Sequence, residues 1–315
     1  MAAEQSVGDL NPKEVLKDLV TKASPFWGAE RVTAIRFLET HPTAQTDPDV
    51  SILALQGLCY KEAWGSGLAF DGDGMILGPI KRLLQATDRL AEPDRNRQLL
   101  SRLEGEFHEL RDLASYRQFQ SGIRQVVPFN PEVPGDPSNE EAGVLVDESK
   151  HFYLFMKLLE DTYGISVTPL SLKNAQPSAD LQLQDVRTQA KRKHKAVGGA
   201  ASHFTEGGGS AIFHGMQQFR TGTDYQRQWA RVGNSIYREE VRHLTHGAHE
   251  VAEQIHTQDE LSPIAEVVGD ISWHRVLMRN QIFGNPLTIL ELREIKNGNW
   301  EAFIPSPLRQ EVFDD

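Results

Sequence analysis

Cysteine is almost absent from this chain of 315 residues, which contains only Cys59. A single cysteine excludes an internal disulfide bond and a cysteine-rich zinc site. Such sparing use of cysteine is typical of a reducing compartment. We interpret Cys59 as a small buried hydrophobic residue rather than as a nucleophile.

The chain also lacks an excess of positive charge and long apolar segments. Its 33 Lys and Arg residues and 44 Asp and Glu residues give a formal net charge of -11, whereas nucleic acid binding requires a basic surface. The sequence has no run of 18 apolar residues, so it predicts no transmembrane helix. Residues 1–9 lack the apolar segment that a secretory signal contains. We therefore expect a cytoplasmic protein whose partners are neither nucleic acids nor membranes.

Helical periodicity dominates the sequence, and signals for β-hairpins are scarce. The sequence predicts one all-α domain, 1–315, with a metal-binding core of four helices in 96–257, helices in 1–92 that pack on this core, and a helix and tail in 258–315. The core helices are predicted at 94–120, 139–163, 200–219 and 224–256, with a Pro-rich connection at 128–137 and a capping box at 138–141. Further helices are predicted at 12–23, 29–40, 47–70, 76–90, 185–195 and 262–283, with a turn at 71–74.

The motif Glu-x-x-His occurs at Glu148–His151 and again 92 residues later at Glu240–His243. Residues three apart lie on one face of a helix, so the Glu and the His of each motif can bind the same metal ion. About one such match is expected by chance in a chain of this composition, but this chain has three. The third begins at Glu253, on a helix face turned about 220° from the second, and we interpret it as accidental.

Each motif is preceded by a glutamate in another predicted helix. Glu206 lies 34 residues before Glu240, the length of one helical hairpin, and Glu109 lies 39 residues before Glu148 across the longer Pro-rich connection. Glu106 and Glu104 are alternatives to Glu109 in the first helix. Four carboxylates and two imidazoles on four helices form a ligand set that suits two iron or manganese ions and leaves positions for dioxygen.

The segments Val146–Phe152 and Arg238–His243 resemble the repeated Glu-x-x-His stretches of the ferritin-like di-iron carboxylate proteins. The resemblance covers about residues 96–257 and implies a ferritin-like four-helix bundle with additional helices at both termini. It also implies six metal ligands, with Glu148 and Glu240 as bridging groups and with Glu206 joining them at the catalytic centre. The six ligands are Glu109, Glu148, His151, Glu206, Glu240 and His243.

Two departures from members of this superfamily narrow the expected chemistry. Ribonucleotide reductase small subunits carry a radical tyrosine four residues after the first His, where this chain has Phe155. Arylamine N-oxygenases carry an extra His four residues before the second motif, where this chain has Ile236. Ferritins are much shorter and form cages.

The function expected from this resemblance is oxidation of a small organic substrate with dioxygen at a di-iron centre. The reaction is a hydroxylation, N-oxygenation, desaturation or C–C cleavage. The expected partners are the substrate, which can be carrier-bound, an external electron donor or reductase, and a second copy of the chain in a homodimer. The alternatives are a Mn/Fe ligand-binding oxidase similar to ribonucleotide reductase small subunits, a non-catalytic helical binding protein, and iron oxidation for storage.

Three features beside the motifs carry further expectations. The run Gly207–Gly209 is interpreted as space for substrate or dioxygen, with a π-bulge at Glu206. His203 is a candidate extra ligand, and Asp270 and His274 are candidates to orient the ligand imidazoles, although solvated side chains are the simpler interpretation. The basic run 191–195 is interpreted as a solvated segment, with a dock for an acidic carrier, coenzyme A phosphates or RNA as alternatives.

Overall fold

This computed structural model describes residues 10–65, 76–81, 93–126 and 137–314, and within these ranges it contains helices and turns but no strand. The predicted all-α class is confirmed, while the ferritin-like bundle stays a prediction. Residues 76–81 are helical; the predicted turn at 71–74, most of the Pro-rich connection and the rest of the helix at 76–90 lie outside the described residues. The helices are α1 (Pro12–Thr40), α2 (Pro48–Ala63), α3 (Pro93–His108), α4 (Leu113–Val126), α5 (Pro137–Tyr163), α6 (Pro169–Leu172), α7 (Ser178–Phe204), α8 (Gly207–Gln217), α9 (Asp224–Ala252), α10 (Gln258–Ile282), α11 (Ile289–Lys296) and α12 (Ser306–Phe313).

Helix α1 is continuous, although the sequence predicts two helices with a break between 23 and 29. Pro25 lies inside it, where a proline removes one backbone hydrogen bond and disfavours the helix. Tertiary packing overrides this preference because Phe26 and Trp27 are buried. The carbonyl oxygen of Ser24 also accepts a hydrogen bond from the backbone N–H of Phe303 in the C-terminal segment.

The helix predicted at 94–120 is instead two helices, α3 and α4, with a turn at 109–112. The Asp112 carboxylate accepts a hydrogen bond of 2.8 Å from the backbone N–H of Ser115. An aspartate in this position caps a helix that starts immediately after it. Local capping chemistry therefore starts a new helix, α4, within a segment whose hydrophobic periodicity continues.

Helix α7 is longer than predicted, since the sequence indicates an irregular segment at 165–197 with a short helix at 185–195. It bends at Lys195, whose φ of 53° and ψ of -123° are not helical. A Cβ on Gly198 would lie 2.3 Å from the carbonyl oxygen of Ala190. Glycine at 198 thus permits the close approach of the two parts of α7 on either side of the bend.

One compact unit comprises Met1–Thr43 and Ser178–Asp315. In this unit α1 packs against α8, α9 and α10, and α7 packs against α9 and α10. Their shared core is apolar and contains Trp27, Phe204, Leu244 and Val268. Burial of such side chains supplies most of the stability, at about 25 cal/mol per Å² of apolar surface removed from water.

The second compact unit is Ala44–Pro177. Within it α2 and α4 both pack against α5, α3 packs against α4, and α6 packs against α2 and α3. Trp64 is buried, and its indole N–H donates a hydrogen bond of 2.7 Å to the carbonyl oxygen of Pro169. The predicted core, 96–257, contains parts of both units. In the part of the chain that the structure describes, no helix is both long and apolar enough for a membrane span.

Candidate metal-binding residues

The first Glu-x-x-His motif lies on α5, as predicted, with both side chains buried. Glu148 is 4% exposed and His151 is fully buried. The His151 Nδ1 atom lies 3.8 Å from Oε2 of Glu148, one helical turn earlier. The helical spacing i, i+3 thus places the carboxylate and the imidazole on one face.

A third buried group, Glu62 on α2, lies beside the same imidazole. Its Oε2 atom is 3.5 Å from Nδ1 of His151, and the residue is 5% exposed. A metal ion with bonds of about 2.1 Å holds neighbouring ligand atoms about 3.0 to 3.4 Å apart. The two distances from Nδ1 of His151, 3.5 Å to Glu62 and 3.8 Å to Glu148, are slightly longer than this spacing. Glu62, Glu148 and His151 are among the buried Glu and His residues that could hold metal.

Cys59 lies one helical turn before Glu62 and reports on the surroundings of this carboxylate. Burial raises the pKa of the Cys59 thiol, and the negative charge of Glu62 raises it further. The thiol is fully buried, which agrees with the interpretation of Cys59 as a hydrophobic residue. A carboxylate in such surroundings requires compensation of its charge, because burying an uncompensated charge is costly.

Glu62 is not among the ligands that the sequence motifs predict. The available signal was the pair of charges at Lys61 and Glu62 within the segment from Leu58 to Trp64, whose other residues are apolar or aromatic. A helical segment of this kind is usually buried, so a charge within it needs a partner. That pattern alone does not say which helix supplies the partner.

Glu109 and Glu106, the predicted first-helix candidates, lie elsewhere in the same unit. Glu109 is exposed just after α3 ends, and both residues line an open surface cleft of about 420 Å³. Glu106 accepts a hydrogen bond of 3.0 Å from the Gln118 side chain and lies 3.6 Å from Arg102. The structure therefore places Glu62, and not Glu109 or Glu106, beside His151, because the turn at 109–112 ends the predicted long helix.

The second motif lies on α9, also as predicted. Glu240 and His243 are 7% and 9% exposed, and a carboxylate oxygen of Glu240 lies within 4.8 Å of a ring nitrogen of His243. Ile236, one turn before Glu240, is fully buried. This pair repeats the geometry of the first motif in the other unit.

Glu206, the predicted ligand on the third core helix, takes the N-cap position of α8 and is half-buried. Helices α7 and α8 are separated here, so the single helix predicted at 200–219 is divided. The N–H of Gly208 and the N–H of Gly209 bond to carbonyl oxygens three residues earlier. Such bonds form a tight turn and not the predicted π-bulge.

The run Gly207–Gly209 is filled by neighbouring side chains. A Cβ on Gly207 would lie 2.6 Å from the Trp27 ring, one on Gly208 would lie 1.7 Å from Oε1 of Glu30, and one on Gly209 would lie 2.6 Å from Oε2 of Glu240. These separations are far below a normal contact. The glycines therefore admit three large side chains to the α8 backbone, which corrects the interpretation of the run as open space.

Glu30 is another buried carboxylate that the sequence motifs do not predict. It is fully buried on α1, with Arg275 Nε 3.5 Å and Arg279 Nε 3.8 Å from its oxygens. Burial raises the pKa of Glu30, and the two guanidinium groups oppose that shift. Their spacing of four residues on α10 was the available signal, since it places both cations on one face.

The remaining candidates form pairs within the first unit. His203 is exposed, and its Nδ1 lies 3.2 Å from Glu250, a contact that raises the pKa of His203 and lowers that of Glu250. His274 Nδ1 lies 3.3 Å from the Asp270 carboxylate and 2.8 Å from its carbonyl oxygen, with Asp270 exposed. The structure places neither His203 nor His274 beside Glu240.

The structure also describes three other features of the sequence. The Lys and Arg residues of the basic run 191–195 are exposed on α7, which agrees with a solvated segment. Phe155, at the position of the radical tyrosine in ribonucleotide reductase small subunits, is fully buried. Tyr116 and Tyr153 stack in the same unit with ring centroids 4.8 Å apart.

No protein-family model, curated protein or solved structure matches this chain. The structure itself establishes a helical protein with buried Glu and His side chains that could bind metal.

Proposed function

We propose that this protein is a non-haem di-iron oxygenase or oxidase that uses dioxygen to oxidise a small organic substrate. The observation that carries the proposal is the burial of two Glu-x-x-His pairs, of which the first has Glu62 within 3.5 Å of its imidazole. Buried carboxylates next to imidazoles are a suitable environment for divalent iron or manganese. Bound metal would supply the oxygen chemistry.

The side chains have distinct tasks in this proposal. Glu62, Glu148 and His151 bind metal in one unit, and Glu240 and His243 bind metal in the other. The motifs and the resemblance alone predict that both pairs serve one dinuclear centre. The apolar residues next to the ligands, Phe152 and Leu244, are fully buried and exclude water, which strengthens electrostatic interactions at the metal.

Metal content measured by elemental analysis after anaerobic loading with ferrous iron tests the proposal. We expect about two iron atoms per chain and a large loss in Glu62→Ala. Glu109→Ala is the matched control, since it removes an exposed carboxylate from the same unit. Wild-type protein that binds neither iron nor manganese would refute the metal site and favour a helical binding protein.

The dinuclear arrangement has its own test. We compare Glu148→Ala/His151→Ala with Glu240→Ala/His243→Ala. If both pairs serve one centre, each variant loses both metals, and wild-type protein shows the Mössbauer or EPR signature of exchange-coupled ions. If the sites are separate, each variant keeps one metal.

Metal binding alone does not establish oxidation. The reduced, iron-loaded protein is expected to consume dioxygen faster than a Glu148→Ala/Glu240→Ala double variant. The same measurement on manganese/iron-loaded protein tests the Mn/Fe alternative. Consumption equal to that of free iron would leave a metal-binding protein without the proposed activity.

A further inference from the structure

Arg187 on α7 is a buried cation whose donors are unused. The residue is 2% exposed. Its Nε and Nη2 atoms have no hydrogen-bond partner among the described residues. No carboxylate of the described residues forms an ion pair with Arg187. A buried charge of this kind is expensive unless it is paired. A position that carries such a cost is a candidate for binding a ligand.

The two unused nitrogens define one edge of the guanidinium group. Nε–H and Nη2–H are parallel, and this edge binds the two oxygens of a carboxylate through two hydrogen bonds. Arg187 remains charged near neutral pH, although burial and repulsion from Arg275 lower its pKa to about 10. An anion at this edge would relieve both unfavourable effects.

The charges around Arg187 favour an anion with a single charge. Arg275 opposes its charge, whereas Glu206, Asp180 and Glu30 support it. With three carboxylates already near the guanidinium groups, a monoanion adds one negative charge, while a phosphate dianion adds two. The neighbouring carboxylate of Glu30 already lies against two arginines of α10, which shows that this part of the core accepts carboxylates.

The same cluster extends to a proposed metal ligand. Both Arg275 Nη2 and Glu240 Oε2 lie within 4 Å of the point where a Gly209 Cβ would stand. We infer that Arg187 binds the carboxylate of an organic substrate and thereby positions that substrate near Glu240. This inference rests on the proposed function, and it makes the substrate class a small carboxylic acid.

Ligand binding to metal-depleted, full-length protein tests the inference without a contribution from bound metal. The probes are benzoate, octanoate and inorganic phosphate, measured by thermal unfolding and titration calorimetry. We expect one or both carboxylates to raise the Tm of the wild type and of Arg192→Gln, a control at an exposed arginine on the same helix. Arg187→Gln should bind them roughly tenfold or more weakly, since charged hydrogen bonds are lost.

The unliganded variants separate a binding role from a structural one. If Arg187 serves a ligand, Arg187→Gln unfolds at the same Tm as the wild type or higher, because the substitution breaks no hydrogen bond of Nε or Nη2 and removes a cation that burial and Arg275 oppose. Arg187→Lys keeps the charge without the two-donor edge, so it should also bind carboxylates more weakly and provides a folded alternative if Arg187→Gln misfolds. A marked loss of Tm in both variants without ligand would overturn the inference.

Three ligand results would also overturn it: no stabilisation of the wild type by either carboxylate, equal stabilisation of Arg187→Gln, or phosphate binding as tight as carboxylate binding. Metal content of the same samples tests the proposed function separately. A chain that binds metal but no carboxylate refutes the inference alone. A chain that binds benzoate but no metal keeps the carboxylate site and refutes the oxygenase proposal.

Discussion

Gly208→Ala gives a direct test of how closely α8 packs against α1. The added Cβ would lie 1.7 Å from Oε1 of Glu30, 2.4 Å from its Cδ and 2.7 Å from its Oε2. The whole carboxylate of Glu30 must therefore move. Because this carboxylate faces Arg275 and Arg279 in the core, the substitution also disturbs a buried ion-pair cluster.

The expected cost follows from these contacts. Breaking a buried charge pair costs about 3–5 kcal/mol, whereas replacing glycine by alanine within a helix gains about 1 kcal/mol. We expect a net loss of about 2–4 kcal/mol in the free energy of unfolding of Gly208→Ala. For a unit of this size that corresponds to a fall in Tm of roughly 4 to 16 °C.

Gly199→Ala is the matched control on the neighbouring helix α7. A Cβ there meets nothing within 4 Å, so the same substitution should stabilise the protein by about 1 kcal/mol. Urea unfolding of both variants measures the difference. If Gly208→Ala is as stable as the wild type or more stable, the close packing is wrong and the interpretation of the glycine run as open space regains its support.

Three further predictions concern other contacts in the same unit. Hydrogen bonds from Arg36 lower the pKa of Glu291 to about 2. This pair should stabilise the fold by about 1 kcal/mol, because the site is partly exposed. The stabilisation is present above pH about 4.5 and is lost as the pH falls towards 2. Acid unfolding of Glu291→Gln against the wild type measures it, and equal curves would contradict it. Glu250 raises the pKa of His203, so the stabilisation by the His203–Glu250 contact is complete below pH about 6.5 and is lost as the pH rises through the raised pKa. NMR titration should show a lower pKa of His203 in Glu250→Gln than in the wild type, and an unchanged pKa would exclude the pairing. A Cβ on Gly28 would lie 1.9 Å from a backbone carbonyl oxygen of the C-terminal segment, so Gly28→Ala should loosen that segment and increase its cleavage in limited proteolysis, while unaltered cleavage would refute this contact.

The sequence predicted the helical class and the placement of both Glu-x-x-His motifs on helices. Glu148, His151, Glu240 and His243 are each within three residues of their motif partner, so local helix geometry places each pair on one face. This part of the prediction needed no knowledge of how helices pack. Apolar residues such as Phe152 and Leu244 stand next to the two motifs in the sequence, which agrees with the burial of both pairs.

The sequence could not predict which distant side chains approach these pairs. Counting residues along a presumed continuous helix selected Glu109, but α3 ends before Glu109, which is exposed, and the Asp112 cap starts a new helix. Glu62 reaches His151 because α2 packs against α5. The short Arg36–Glu291 contact likewise joins residues far apart in the chain.

The sequence by itself determined what depends on helical periodicity: the all-α class, the faces of α5 and α9, and the residue types that can bind metal. Only the tertiary structure decided that Gly207–Gly209 admit Trp27, Glu30 and Glu240, and that Arg187 is buried with unused donors. Helical order repeats every 3.6 residues and can be read locally. Contacts between helices depend on which faces meet, and that is fixed by the packing of the whole core.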